Sequence, residues 1–170
     1  PRSQPASRGR ATTVEDGLEF ALQKAMELGD KSKDMYTVLF RVKVDKRDWQ
    51  GALDAIRHGE PNNTDLLKLA QVHAFLGNAP AADSVYRSLI EKDSTSSDAR
   101  FALLEMAKTQ YRLKDYPNAI STLQRRIALD GTSDEAYYYL GLSHKELKQL
   151  PEAITALRQA ANLAPAKGDR

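Results

Sequence analysis

The sequence predicts an all-α protein made of stacked helix–turn–helix units, and three observations support this prediction. From residue 14 onward, apolar residues recur three and four positions apart, as in Leu18, Leu22 and Ala25, which is the spacing of an amphipathic helix. Short polar or glycine- and proline-containing segments interrupt the pattern about every dozen residues. No run that alternates at every second residue is long enough to build a sheet.

The interruptions predict about nine helices of roughly 9 to 16 residues each. The clearest ones fall at residues 29–32, 59–63, 77–80, 93–97 and 130–133. Pro80, Pro117 and Pro151 are each expected in the first turn of a helix, where the missing N–H group costs nothing.

The composition fits one soluble globular domain. The chain has 170 residues, of which 28% are charged and 41% apolar, and a chain of this size buries a core without cross-links. No stretch approaches the roughly 20 apolar residues of a membrane span, so we expect no direct membrane insertion. Cysteine is absent, which excludes disulfides and thiolate metal sites. The compartment stays open between the cytoplasm and a bacterial periplasm.

Residues 1–13 predict a flexible basic linker. They combine proline, serine and glycine with three arginines and no acid, and such a segment cannot offset the entropy of ordering. The formal net charge of +2 therefore leaves the remainder close to neutral, which disfavours a nucleic-acid partner. Because the sequence lacks an initiator methionine, we expect a processed chain or a fragment of a longer one.

A repeat becomes visible when the sequence is shifted by 34 residues. Ala153 then falls on Ala119, and Leu157 falls on Leu123. Residues at the equivalent position of the earlier units continue the series. The interval between them changes only where residues are inserted or deleted in loops. The predicted array covers residues 14–170. Its parts are a half unit at 14–32, a degenerate unit at 33–62, and units at 63–99, 100–133 and 134–167.

Small residues alternate with large ones at fixed positions of each unit. Small side chains allow paired helices to approach closely, and large ones three to four positions away fill the space beside them. This pattern resembles the tetratricopeptide repeat family, whose 34-residue units stack into a right-handed superhelix. The last unit has the full set of matching residues: Tyr137, Leu140, Gly141, Ala153, Leu157, Ala160 and Pro165. Phe40 and Arg126 depart from the pattern because each occupies a position expected to be small.

The resemblance implies a right-handed α-solenoid of about four units with a partner-binding groove on its inner side. In the family, set positions of each first helix face this groove. The residues expected there are Arg41, Leu67, Gln71, Phe75, Phe101, Leu104, Lys108, Tyr111, Arg112, Tyr138, Leu142 and Lys145. An apolar groove with a basic edge suits an extended peptide or an amphipathic helix with a few acidic residues. Alternatively, the facing helices cover these apolar side chains.

Some family members hold acidic chaperone tails with lysine and asparagine four residues apart. Thr37/Arg41, Leu67/Gln71 and Leu104/Lys108 occupy the matching positions here, so the resemblance does not extend to this ligand.

The sequence offers no catalytic site, metal site or cofactor site. His58, His73 and His144 are the only histidines, and none has a histidine or carboxylate four residues later. No glycine-rich phosphate loop or nucleophile elbow is present. We therefore expect a non-catalytic protein–protein interaction scaffold, with histidines that serve in packing.

Two other functions and one mode of assembly stay open. The array could recruit an enzyme within a bacterial envelope export or assembly system. It could instead bind nucleic acid or glycan through Tyr111, Tyr138 and the basic edge. However, Tyr137, Tyr138 and Tyr139 point about 100° apart on a helix, which predicts no single stacking platform. Exposed end helices would allow self-association.

Overall fold

The computed structural model describes residues 13–164, and nine α-helices and no strand lie in this part of the chain. The helices are α1 (Val14–Glu27), α2 (Lys33–Asp45), α3 (Trp49–Ile56), α4 (Asn63–Phe75), α5 (Ala79–Lys92), α6 (Ser97–Arg112), α7 (Tyr116–Leu129), α8 (Asp134–Glu146) and α9 (Leu150–Leu163). The predicted all-α class is confirmed. The predicted linker, except for Thr13, and Pro165 of the last unit lie outside the described residues. Thr13 is the N-cap of α1.

Pro1–Pro61 and Asn62–Arg170 form two compact units. In the described part of the first unit, α2 and α3 form a helix pair and α1 contacts α2. Phe40 and Ala52 are completely buried in this unit, so a ring fills the position where the repeat pattern expects a small residue. Helix α3 has only 8 residues, fewer than the sequence predicts.

The Asn62–Arg170 unit is a stack of three helix pairs, α4/α5, α6/α7 and α8/α9. One core cluster joins α4, α5 and α6 around the buried side chains of Tyr86 and Leu103. A second joins α6, α7 and α8 around Leu123 and Ala136. The first helices of successive pairs, α4, α6 and α8, also contact one another in order. They therefore form one continuous face of the solenoid.

The helices of this stack begin where the sequence supplies capping residues. Ser96 accepts a hydrogen bond from the Ala99 amide at 3.1 Å, and Ser133 accepts one from the Ala136 amide at 3.2 Å. Asn62 and Asp65 form a reciprocal capping box at the start of α4. These contacts satisfy amides that have no partner within the helix. A proline occupies the first turn of α5, α7 and α9.

The closest approach within a pair occurs where α8 meets α9 at Gly141. A Cβ atom added there would lie 2.6 Å from Leu157 Cγ and 3.1 Å from the Ala153 carbonyl oxygen. Glycine at this position thus lets the leucine side chain pack directly against the backbone of the opposite helix.

Gly141→Ala is expected to lower the free energy of unfolding by about 1–3 kcal/mol, because the added methyl group overlaps Leu157 and the Ala153 carbonyl. Urea unfolding followed by circular dichroism measures the change. Gly131→Ala is the matched control, since a Cβ atom there meets nothing closer than 3.8 Å. Equal stability of the two variants would contradict the close packing of α8 against α9.

The two helices of each pair are joined by a three-residue turn whose middle residue is left-handed. Gly77 occupies this position in one turn, with φ of 75°, whereas Arg47, Lys114 and Lys148 occupy it in the others at 58°, 62° and 60°. In the last turn, the Lys148 amide donates to the Lys145 carbonyl and the Gln149 amide to the His144 carbonyl, both at 2.9 Å. These bonds end α8, although a residue with a Cβ atom is strained in this conformation.

Lys148→Gly is expected to raise the free energy of unfolding by up to about 1 kcal/mol, because glycine adopts a positive φ without steric cost. The midpoint of urea unfolding reports the gain. Gly77→Ala introduces the same strain into the turn that lacks it and should lower stability by a similar amount. If Lys148→Gly is destabilising, the left-handed turn does not form as described.

Helix α1 is held to the rest of the Pro1–Pro61 unit by ion pairs rather than by burial, since it contains no buried residue. Lys46 Nζ lies 2.6 Å from Asp16 Oδ1 and 2.6 Å from Glu19 Oε2. Lys43 Nζ lies 2.6 Å from Glu19 Oε1 and 2.8 Å from Asp48 Oδ2. Hydrogen bonds from these lysines hold the pKa values of all three carboxyls below their ordinary range.

Acid is expected to release α1. A carboxyl with a lowered pKa stabilises the folded arrangement above its ordinary pKa, and this contribution is lost as the pH falls through its folded-state pKa. Backbone ¹³C chemical shifts of α1, followed from about pH 6 to about pH 3, should lose their helical offset before those of α2. Glu19→Gln should move the transition toward neutral pH.

The matched control is Glu27→Gln, because the Lys24–Glu27 ion pair lies within α1 alone. The same shift in both variants would show that the contacts of Glu19 with α2 and its following turn do not hold the helix.

Candidate functional site

The first helices α4, α6 and α8 carry the candidate site. We define the inner-face patch as the predicted groove residues of the Asn62–Arg170 unit that are not buried. They are Gln71, Phe75, Phe101, Lys108, Tyr111, Arg112, Tyr138, Leu142 and Lys145. Arg41 lies half-buried on α2 in the other unit and is not part of this patch.

Leu67 and Leu104 do not line an open groove, so the prediction for these two residues is wrong. They are 9% and 8% exposed. Leu67 shares a core cluster with Ala99 and Ala102 of α6, and Leu104 shares one with Ala136 of α8. The first helix of the following pair thus covers each leucine. The alternative that facing helices bury these apolar side chains holds here.

Three large rings of the patch are exposed. Phe75 is 61%, Phe101 44% and Tyr138 48% exposed. The guanidinium carbon of Arg112 lies 5.8 Å from the centre of the Phe75 ring, and an Arg112 nitrogen donates to Thr109 Oγ1 at 3.2 Å. The Arg112 side chain therefore contacts residues of two neighbouring first helices, α4 and α6. Leu142 is half-buried and Lys145 is exposed on α8.

Polar contacts join the three first helices and neutralise Lys108. Gln71 Nε2 donates to Glu105 Oε2 at 3.2 Å. Lys108 Nζ lies 2.7 Å from Glu105 Oε1 and 2.9 Å from Glu135 Oε1. Burial disfavours the charge of Lys108, but hydrogen bonds to both carboxylates outweigh it and raise the pKa of its amine. Among the predicted basic-edge residues of this unit, Arg112 and Lys145 form no ion pair within residues 13–164.

Four tyrosines of α6, α7 and α8 form a series of ring contacts that includes Tyr111 and Tyr138 of the patch, and the sequence predicted only these two as site residues. The ring centre of Tyr111 lies 5.5 Å from that of Tyr116 and 5.6 Å from that of Tyr139, and Tyr139 lies 5.6 Å from Tyr138. The Lys108 amine is 5.9 Å from the centre of the Tyr139 ring. We call Tyr116, Tyr111, Tyr139 and Tyr138 the tyrosine row.

The prediction that the three consecutive tyrosines form no single stacking platform agrees with the ring orientations. Tyr138 and Tyr139 do meet, edge against face at 80°. Tyr137 points elsewhere and lines a separate cavity of about 530 Å³ with Leu140 and His144. Glu105, Tyr116 and Tyr139 were missed because they occupy none of the family's groove positions. The sequence carries no signal for the contact of Gln71 with Glu105, because the two residues do not occupy equivalent positions of their units.

The histidines do not converge on one site. His144 Nδ1 lies 2.7 Å from Gln149 Oε1, and the His58 ring lies 5.0 Å from that of Tyr36. His73 Nδ1 is buried without a hydrogen-bond partner, and burial lowers the pKa of its imidazole. In the part of the chain that the structure describes, no three His, Cys, Asp or Glu side chains are grouped as a metal site. None of its helices is long and apolar enough to cross a membrane.

The fold and the repeated small-and-large packing define a tetratricopeptide repeat protein. A family model described as "Anaphase-promoting complex, cyclosome, subunit 3", which is of this repeat type, matches residues 76–160, half of the chain. The chain therefore belongs to the tetratricopeptide repeat family.

One curated relative covers part of the chain. Neutrophil cytosol factor 2 of Bos taurus is 29% identical over 104 residues, which are 60% of this chain and 19% of the bovine protein. The match thus spans about a fifth of that relative's length.

Solved structures share the fold. A MamA crystal structure has a TM-score of 0.75 at 12% identity and covers 91% of this chain and 96% of its own. YrrB, described as a repeat protein of this family with an unusual peptide-binding site, has a TM-score of 0.71 at 23% identity, with 89% and 80% covered. The second repeat domain of RPAP3, bound to the HSP90 peptide SRMEEVD, has a TM-score of 0.55 at 19% identity, with 60% and 92% covered. At these levels of sequence identity, the similarity to the solved structures shows a shared fold.

Proposed function

We propose that this chain is a non-catalytic interaction module whose inner-face patch binds a segment of a partner polypeptide. The observation that carries the proposal is the exposure of Phe75, Phe101 and Tyr138 on first helices whose backbone is fixed by the stack. Aromatic side chains dominate the energy of protein interfaces. A preformed helical surface binds a partner with little loss of its own conformational entropy.

The solved structures support a polypeptide ligand. YrrB is described with a peptide-binding site, and the RPAP3 domain is bound to an HSP90 peptide. The chemistry of the inner-face patch differs from that of a site for an acidic tail. Lys108, at the centre, already contacts two carboxylates. A third carboxylate would have to displace one of them, so we place the binding energy in the rings.

Nucleic acid and glycan have less support as ligands than a polypeptide has. Strong nucleic-acid binding requires cations that neutralise phosphates. Glu105 and Glu135 compensate Lys108 beside the tyrosine row. The rings of this row are tilted by 59° to 80° from their neighbours, so they do not form a flat platform for bases. An envelope export role and self-association stay predictions.

Phe101→Glu is expected to weaken partner binding about tenfold or more, because it places a charge where an aromatic side chain is buried on binding. The partner is first trapped by a photo-crosslinking amino acid at position 101 and identified by mass spectrometry. Titration calorimetry with the purified partner then measures the affinity. Because Phe101 is 44% exposed, the variant should keep its helical circular dichroism.

Ile154→Glu is the matched control. Ile154 is 51% exposed on the second helix α9 of the same unit, so its substitution tests the effect of an added charge away from the inner-face patch. Equal losses of affinity in both variants, or none in Phe101→Glu, would refute the inner-face assignment. Leu67→Glu and Leu104→Glu are unsuitable tests because both leucines are buried and their substitution would damage the core.

A further inference from the structure

We infer that the tyrosine row binds a proline-rich segment in the polyproline II conformation. The inference rests on the proposed function, because it names the class of partner that the inner-face patch takes. It concerns four residues that lie on α6, α7 and α8: Tyr111, Tyr116, Tyr138 and Tyr139.

The first argument is that the row has unused hydrogen-bond donors. Within residues 13–164, no hydroxyl group of these four tyrosines donates or accepts a hydrogen bond, and none of the four is both buried and unsatisfied. Burial raises the pKa of the Tyr111 phenol, so this hydroxyl stays protonated at neutral pH. The row therefore offers the exposed ring of Tyr138 and the half-buried rings of the other three tyrosines, with hydroxyl donors that have no partner within the described residues.

The second argument concerns which polypeptide conformation can use these donors. An α-helical partner has already paired most of its carbonyl groups internally. A polyproline II segment has no internal hydrogen bonds, so all its carbonyls are available to accept from tyrosine hydroxyls. Proline also lacks an N–H group, so a proline-rich segment leaves no donor unsatisfied against the rings. Aromatic-lined surfaces are an established way to recognise this conformation.

The spacing of the rings fits the same ligand. Successive ring centres are 5.5, 5.6 and 5.6 Å apart, close to the roughly 6 Å rise of two polyproline II residues. Neighbouring rings are tilted by 59°, 73° and 80°. The rings are therefore not stacked flat, and a segment that lies along them meets ring edges as well as ring faces.

Charge complementarity also favours an uncharged segment. The cation at the middle of the row, Lys108, is compensated by Glu105 and Glu135. One lysine and two glutamates leave a net charge of −1 beside the row, which disfavours an acidic ligand at this point and accommodates an uncharged one. Arg112, on the same helix as Tyr111, forms no ion pair within the described residues and can accommodate an acidic residue beside the proline-rich part.

Fluorescence anisotropy with labelled decaproline tests the inference on the full chain. Decaproline is expected to bind saturably, whereas a glycine–serine decapeptide of equal length is expected to bind at least about tenfold more weakly, because it loses more entropy on ordering. A labelled amphipathic leucine–lysine helix serves as the third probe. Absence of saturable decaproline binding at millimolar protein would overturn the inference.

Hydroxyl-deletion variants locate the binding. Tyr111→Phe and Tyr138→Phe keep the rings but remove donors, and each should weaken decaproline binding about three- to tenfold. Tyr137→Phe is the matched control, since this tyrosine is adjacent in sequence but lines the separate cavity. Unchanged affinity in both Tyr111→Phe and Tyr138→Phe, or an equal loss in Tyr137→Phe, would overturn the assignment to the tyrosine row.

The two proposals fail separately. If the helical probe binds better than decaproline and Phe101→Glu weakens its binding, the inner-face proposal stands and the proline-rich ligand is wrong. If decaproline binds at the tyrosine row while the crosslinked partner is insensitive to Phe101→Glu, the proposed use of the full patch is wrong.

Discussion

The close approach of paired helices at small side chains is the constraint on which the rest of the structure depends. At Gly141 the leucine of the opposite helix occupies the space that any other side chain would need. Completely buried alanines, Ala70 and Ala107, occupy the equivalent position on the first helices of the two preceding pairs. Because the pairs share this register, their first helices fall side by side and form a single face. The site is thus a consequence of packing on the other side of the same helices.

Side-chain contacts across the stack then determine what the inner face can recognise. Gln71, Glu105, Lys108 and Glu135 connect α4, α6 and α8 through polar contacts. The same residues compensate the charge of Lys108, the central lysine that a binder of acidic tails would use. Besides Arg112 and Lys145, what stays available is aromatic: exposed phenylalanine rings in one part of the patch and tyrosines whose hydroxyls have no partner within the described residues in another. A fold shared with many relatives therefore carries a surface chemistry of its own.

The sequence was sufficient to predict the helical fold and its repeat, because both follow from local periodicity and from residues such as Gly141 and Pro151. The sequence was insufficient to predict which apolar side chains of the inner face are buried and which are exposed. Leu67 and Phe75 look equally apolar in the sequence, yet the following helix covers the first and leaves the second exposed. The tyrosine row was only half predicted. The meeting of Tyr111 with Tyr139 depends on the ring orientations of two different pairs, which no single repeat encodes.

The compensated state of Lys108 has a kinetic consequence. Long-range attraction accelerates protein encounters when one partner presents a cluster of uncompensated charge. Here two glutamates compensate the central cation of the recognition surface, and among its basic residues only Arg112 and Lys145 form no ion pair within residues 13–164, so electrostatic steering of a ligand is weak. The association rate of the ligand should then depend little on ionic strength. Selectivity among competing partner segments would arise from differences in their dissociation rates.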